Sequence, residues 1–170
     1  DKKVVDMLLD SNDISSISFV GSTPVAKSIY EKSAKNLKRV QALGGAKNHL
    51  IVMPDANMDQ ATNGIIGAAY GSAGERCMAI SVAVAVGDIA DKLIENITFE
   101  VEKLKVAPWT DTDSDMGPVI SKEHKDKIES YISDGVNEGA NLLIDGRNIK
   151  IQGYENGYFI GPTLFDDVTK

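Results

Sequence analysis

Apolar residues recur along this chain with two different periods, and the switches between them divide it into alternating helices and strands. Val4, Val5, Leu8 and Leu9 stand at helical spacing within residues 1–10, and Ser11-Asn12-Asp13 breaks the pattern. Ile14 to Val20 is apolar with small polar residues between, which predicts a strand running into Gly21-Ser22-Thr23-Pro24. There Thr23 suits an N-cap and Pro24 the first helical position, so a helix is expected through Ala26, Ile29, Tyr30 and Ala34. Lys38-Arg39 leads into the short apolar run Val40 to Leu43, which Gly44-Gly45 stops. His49 to Met53 predicts a second strand, closed by Pro54-Asp55. Asp55 or Asn57 then caps a helix from about Met58 to Ala73, with Ala61, Ile65, Ala69 and Tyr70 as a narrow apolar stripe on a small-residue background.

Further along, Ile80 to Val86 reads as a strand buried on both faces, and Asp88 starts an amphipathic helix through Leu93, Ile97, Val101 and Leu104. Ala107 to Met116 is an acidic loop holding the only tryptophan, Trp109. Ser121 to Glu123 opens a helix with His124, Ile128, Tyr131, Ile132 and Val136 on one face, ended by Gly139. Asn141 to Asp145 is a short strand, and residues 157–165 read as extended chain bending at Gly161-Pro162. Alternating strands and helices predict an α/β fold with a largely parallel sheet. Gly44-Gly45 is the best internal boundary. Both ends look cut within an element, so the chain is expected to be a piece of a larger protein.

Composition narrows the function classes. With 170 residues, 42% of them hydrophobic and 25% charged, the chain is long enough for one substantial core. A net charge of −7 and a pI near 4.8 argue against a nucleic-acid or anionic-membrane partner, which would require basic patches. No apolar run approaches the roughly 20 residues of a membrane span, and the charged opening Asp1-Lys2-Lys3 lacks a signal-peptide core. One unpaired cysteine fits a reducing compartment, the cytoplasm or, in a eukaryote, the mitochondrial matrix. The sequon Asn96-Ile97-Thr98 falls in a predicted helix, where its occurrence reads as coincidence.

Cys77 is that single cysteine, so an internal disulfide and a thiolate metal cluster are both excluded. It is either a small buried hydrophobe or a nucleophile. Arg76 sets a permanent cation beside it, which favours the thiolate, and Gly71 and Gly74 let another molecule approach the backbone closely. A hydrolase pairing Cys77 with His49 or His124 is a further reading, although His124 sits among charges as a solvated residue would. Gly21 and Ser22, at the start of a predicted helix, are candidates for anion binding by backbone N–H groups; the same residues also read as an ordinary strand-to-helix turn.

Phe19-Val20-Gly21-Ser22-Thr23, Leu43-Gly44-Gly45, Gly74-Glu75-Arg76-Cys77 and Gly157-Tyr158-Phe159-Ile160-Gly161-Pro162-Thr163 follow one another in an order and spacing that resembles the NAD(P)-dependent aldehyde dehydrogenase superfamily. The strings Ala42 to His49 and Gly74 to Ala79 are most similar to its coenzyme A-acylating branch, the methylmalonate-semialdehyde dehydrogenases. The resemblance implies a whole protein some three times this length, in which residues 1–44 finish the dinucleotide-binding domain and residues 45–170 open the catalytic domain. It implies Cys77 as nucleophile, Arg76 as a partner for a substrate carboxylate, Ser22 beside Gly21 at the cofactor pyrophosphate, and Leu43 and Gly44 by the nicotinamide riboside. The chain departs from hydrolytic relatives at Ala42, where most have a glutamate that activates water. An alanine takes no proton, which suits acyl transfer to coenzyme A, a thiol that needs less help than water. The expected activity is therefore NAD-dependent oxidation of methylmalonate or malonate semialdehyde, through a Cys77 thioester, to propionyl- or acetyl-coenzyme A with loss of carbon dioxide. The resemblance also implies a homo-oligomer, a tetramer, and an isolated piece that is inactive.

Overall fold

The computed structural model describes residues 2–169 and falls into two compact units, Asp1–Ala46 and Lys47–Lys170. In the first, helix α1 (Lys2–Asp10) precedes strand β1 (Ser16–Val20), helix α2 (Thr23–Lys35) and strand β2 (Arg39–Leu43). β1 and β2 run parallel in unbroken register from Ser16↔Arg39 to Val20↔Leu43. That pairing demands a crossover, and α2 supplies it, burying Ala26, Ile29 and Ser33 along one face and packing on both strands. α1 buries Leu9 and is tied to α2 by the Lys32 ammonium, 3.0 Å from Asp6 Oδ1 and 2.9 Å from Asp10 Oδ2. Lys38 is buried, with its Nζ donating to the carbonyls of Ser11 and Ile14.

The second unit begins with strand β3 (Asn48–Val52), helix α3 (Met58–Tyr70), a tight 3-10 turn at Gly71–Gly74 and strand β4 (Ile80–Ala85). β3 and β4 pair in parallel, with a register shift between Asn48 and His49. Asn57 caps α3, its side chain accepting from Gln60 N–H at 3.0 Å. Helix α4 (Ala90–Val101) packs on α3, and Val52, Ile65, Leu93, Ile97 and Val101 form the core between sheet and helices. Helix α5 (Lys122–Asn137) and strands β5 (Asn141–Ile144) and β6 (Leu164–Asp166) follow, with Val119, Ile132 and Ile160 as a second cluster. β5 and β6 are antiparallel.

The α/β alternation is as the periodicity predicts, with the strands of the described residues grouped in pairs, two parallel and one antiparallel. Several local expectations need correction. Ser22, not Thr23, is the N-cap of α2, and its side chain makes no cap hydrogen bond; the Thr23 hydroxyl is taken by Gly45 N–H at 2.9 Å. β4 is not buried on both faces: it has one strand partner here, and Val84 is 39% exposed. Asp88 does not start α4, which begins at Ala90 after Ile89. On α5 the inward line is Ile128 and Ile132, while His124, Tyr131 and Val136 face solvent. The cluster of Val119 and Ile160, with Leu142 and Phe165, covers only the middle of the expected face.

Candidate active site

The last turn of α3 leaves backbone carbonyls without intrahelical partners, and the chain that follows bends back to meet them. Arg76 donates through Nη2 to the carbonyl of Gly67, and its guanidinium lies over Gly71, where any Cβ would collide with it. A cation at a helix C-terminus is favoured by the helix dipole. Between these points Ser72 (φ 54°), Ala73 (φ 52°) and Gly74 (φ 73°) all occupy the left-handed region. For the two non-glycine residues this costs roughly 1–2 kcal/mol each. The run reverses the chain, so that Glu75 N–H reaches Ser72 O at 3.0 Å and Ala79 N–H reaches Arg76 O at 3.0 Å. Cys77 rides on this second turn with its thiol free and exposed. Its carbonyl and that of Ala79 both accept from Asn48 Nδ2, at 2.9 Å each.

Neither histidine partners the thiol, which makes no hydrogen bond among the described residues. His49 Nδ1 lies 3.0 Å from Lys47 O, and His124 Nε2 lies 3.7 Å from Glu75 Oε1. Arg76, expected to act on the thiolate or a substrate carboxylate, has a first partner in Gly67. One carbonyl occupies only part of a guanidinium with five N–H donors. Tyr70, the last residue of α3, donates its hydroxyl to Thr163 O at 3.1 Å, and burial pushes that hydroxyl up to about 12.

The four residues expected at the cofactor come together within the first unit. Gly21 N–H donates to Leu43 O at 3.1 Å, so the ends of β1 and β2 are tied where Ser22 opens α2. Gly44 is pressed on Thr23, whose Oγ1 would be 2.8 Å from an added Cβ. The Phe19 ring covers Gly21 in the same way. Gly44 is therefore required by close packing against the Thr23 backbone, whereas a side chain at Gly21 would have to displace only the Phe19 ring. Because Gly21 N–H is engaged and Pro24 has none, the backbone donors at this helix start are those of Ser22, Thr23 and Val25. An exposed helix N-terminus of a 13-residue helix, beside the carboxyl ends of two parallel strands, fits the pyrophosphate of a dinucleotide.

Pattern reading missed Asn48. Its signal was an amide at the start of a strand, a place where asparagine is disfavoured unless its side chain has a partner.

A family model described as the aldehyde dehydrogenase family matches residues 1–170. Among curated proteins, the malonate-semialdehyde dehydrogenase of Pseudomonas aeruginosa is 52% identical over 170 residues, covering 99% of this chain and 34% of that protein. Malonate-semialdehyde dehydrogenase 1 of Oceanobacillus iheyensis is 50% identical over 169 residues, with 99% and 35% covered. Among solved structures, a protein named methylmalonate-semialdehyde dehydrogenase from Sinorhizobium meliloti, complexed with NAD, superposes with a TM-score of 0.95 at 58% identity, covering 99% of this chain and 35% of that one. A betaine aldehyde dehydrogenase from Staphylococcus aureus in complex with NAD+ gives 0.91 at 31% identity, with 98% and 33% covered. The chain spans about a third of the length of the curated relatives it matches.

Proposed function

The chain belongs to the aldehyde dehydrogenase family, and from that premise we propose that the whole protein oxidises malonate or methylmalonate semialdehyde, with NAD as hydride acceptor and coenzyme A as acyl acceptor. The observation that carries the reading is the exposed Cys77 thiol on a turn whose carbonyls are held. The names of the relatives, and Ala42 in place of a water-activating glutamate, support the finer assignment.

In this reading the first unit ends a dinucleotide-binding domain, with Ser22 at the pyrophosphate and Leu43 and Gly44 at the nicotinamide riboside. The chemistry that bound NAD supplies is acceptance of a hydride. Cys77 thiolate adds to the aldehyde carbon and forms a C–S bond; loss of hydride from that carbon leaves a thioester on the cysteine. The thiol of coenzyme A attacks the thioester carbonyl, the C–S bond to Cys77 breaks, and the thiolate is regenerated. The product carries a carboxylate β to the thioester and loses carbon dioxide readily, giving acetyl- or propionyl-coenzyme A. Arg76, keeping one nitrogen on Gly67, offers its remaining N–H groups to the substrate carboxylate as a charge-assisted pair.

The test is a rapid-mixing assay of the whole protein with NAD and malonate semialdehyde. One stoichiometric burst of NADH should be followed by near-arrest until coenzyme A is added. Ala42→Glu should raise hydrolysis of the thioester about 10²-fold, the contribution of a positioned general base, and leave the burst intact. Fast turnover of wild type without coenzyme A, abolished by His49→Ala, would instead identify a hydrolytic enzyme with a displaced base.

A further inference from the structure

We propose that Asn48 is the positioning residue for the nucleophile, its side-chain amide holding the backbone from which the Cys77 thiol projects. The inference rests on the reading of Cys77 as nucleophile given above. The β3–β4 ladder begins at Asn48↔Ile80 and then shifts, so that His49 faces Val82. Residues 77–79 therefore lie beyond the last strand pair, and their carbonyls have no ladder donors. The Asn48 side chain replaces the missing strand: both N–H groups of one nitrogen are used, one on Cys77 O and one on Ala79 O. Two carbonyl acceptors also fix which end of the amide faces the turn, since the amide oxygen would repel both.

The consequence is specific to the thiol. The sulfur sits where the Cys77 backbone puts it, and that backbone is anchored through the two peptide units that flank its Cα. The plane before Cys77 is held by Ala79 N–H on Arg76 O at 3.0 Å. The plane after it is held at Cys77 O by Asn48. Its other neighbour gives no anchor, because Met78 is 80% exposed. Without Asn48 the Cys77 carbonyl loses the donor that ties it to β3, and the turn that carries the sulfur is free to shift as a whole. A misplacement near 1 Å at a reacting atom costs on the order of 10²-fold in rate. A second observation agrees: Ala79 is buried, so the far end of the turn is pinned by packing as well, and the amide closes the remaining gap.

The experiment uses the whole protein. Asn48→Ala should lower kcat about 10-fold to 10²-fold while KM for NAD stays within about twofold, and should change the rate at which iodoacetamide alkylates Cys77, followed by peptide mapping. Asn48→Asp, equal in size but unable to donate, should show the same loss and serves if the alanine variant does not fold. Asn48→Gln, which keeps the donors, should recover part of kcat. An unchanged kcat and an unchanged alkylation rate in folded Asn48→Asp, whatever its melting temperature, would overturn the inference and leave Asn48 as a strand-end fastener. The underlying reading fails separately: if complete alkylation of wild-type Cys77 leaves dehydrogenase turnover intact, the cysteine is not the nucleophile.

Discussion

The β1–α2 junction at Gly21–Pro24 and the α3–β4 junction at Gly71–Ala79 are both turns between a helix and a strand, yet they are held by different means. At the first, the partners are the neighbouring strand end and the first turn of the helix itself: Gly21 to Leu43, Ala26 to Ser22, Gly45 to Thr23. Its backbone is ordinary, with Ser22 at φ −65° and ψ 145°. At the second, three consecutive residues are left-handed, Arg76 reaches back from the turn to a carbonyl of α3, and Asn48 reaches in from β3 to hold carbonyls of the turn. The first junction presents what any helix start presents, a set of N–H groups that suits an anion without further design. The second carries the sulfur of the proposed nucleophile on a backbone that local preference does not favour, and the side chain of Asn48, distant in sequence, holds its carbonyls.

Removing the sulfur proposed to react should separate the two most sharply. Cys77→Ser is expected to lower dehydrogenase turnover by at least about 10³-fold, with NAD binding by the whole protein unchanged in a fluorescence titration. Gly44→Ala should do the reverse. Its Cβ would press on the Thr23 side chain and backbone, costing roughly 1–3 kcal/mol of stability and weakening NAD binding, while iodoacetamide alkylates Cys77 at the wild-type rate. Loss of the thiol's reactivity in Gly44→Ala would break the comparison.

Smaller effects probe the helix that leads to the second junction. Tyr70 has a folded-state value raised from 10 to about 12 by burial. The stability it contributes is therefore fully present below about pH 10 and is lost as pH rises through about 12. Tyr70→Phe should remove that part of the alkaline decline in melting temperature, and an identical decline in both proteins would show that the hydroxyl is ionised freely. Ser72→Gly should give the smallest change, a gain of roughly 0.5 kcal/mol, as relief of the left-handed φ at this exposed residue exceeds the added freedom of the unfolded chain. Chemical denaturation measures it; a loss of stability would mean that the Ser72 side chain contributes to the fold and that the strain account is incomplete.

Much of this molecule was legible from residues alone. The periods of apolar residues marked all five helices and the strands β1, β3, β4 and β5, because amphipathic patterns report which face meets a core, whereas β2 showed only as a short apolar run and β6 as part of an extended stretch; Asn57, Ser121 and Gly139 marked element ends through chemistry confined to one turn. Cys77 stood out because a lone cysteine among glycines beside an arginine has few uses. Where a partner lay far along the chain, the pattern was silent. Thr23 looked like a cap until Gly45 took its hydroxyl, Arg76 looked free until it met Gly67, and Asn48, 29 residues from Cys77, carried no sign of the carbonyls it holds. Local sequence determines which backbone groups are left without partners; only the folded chain decides which distant side chain satisfies them, because that depends on strand register and helix placement, properties of the whole packing.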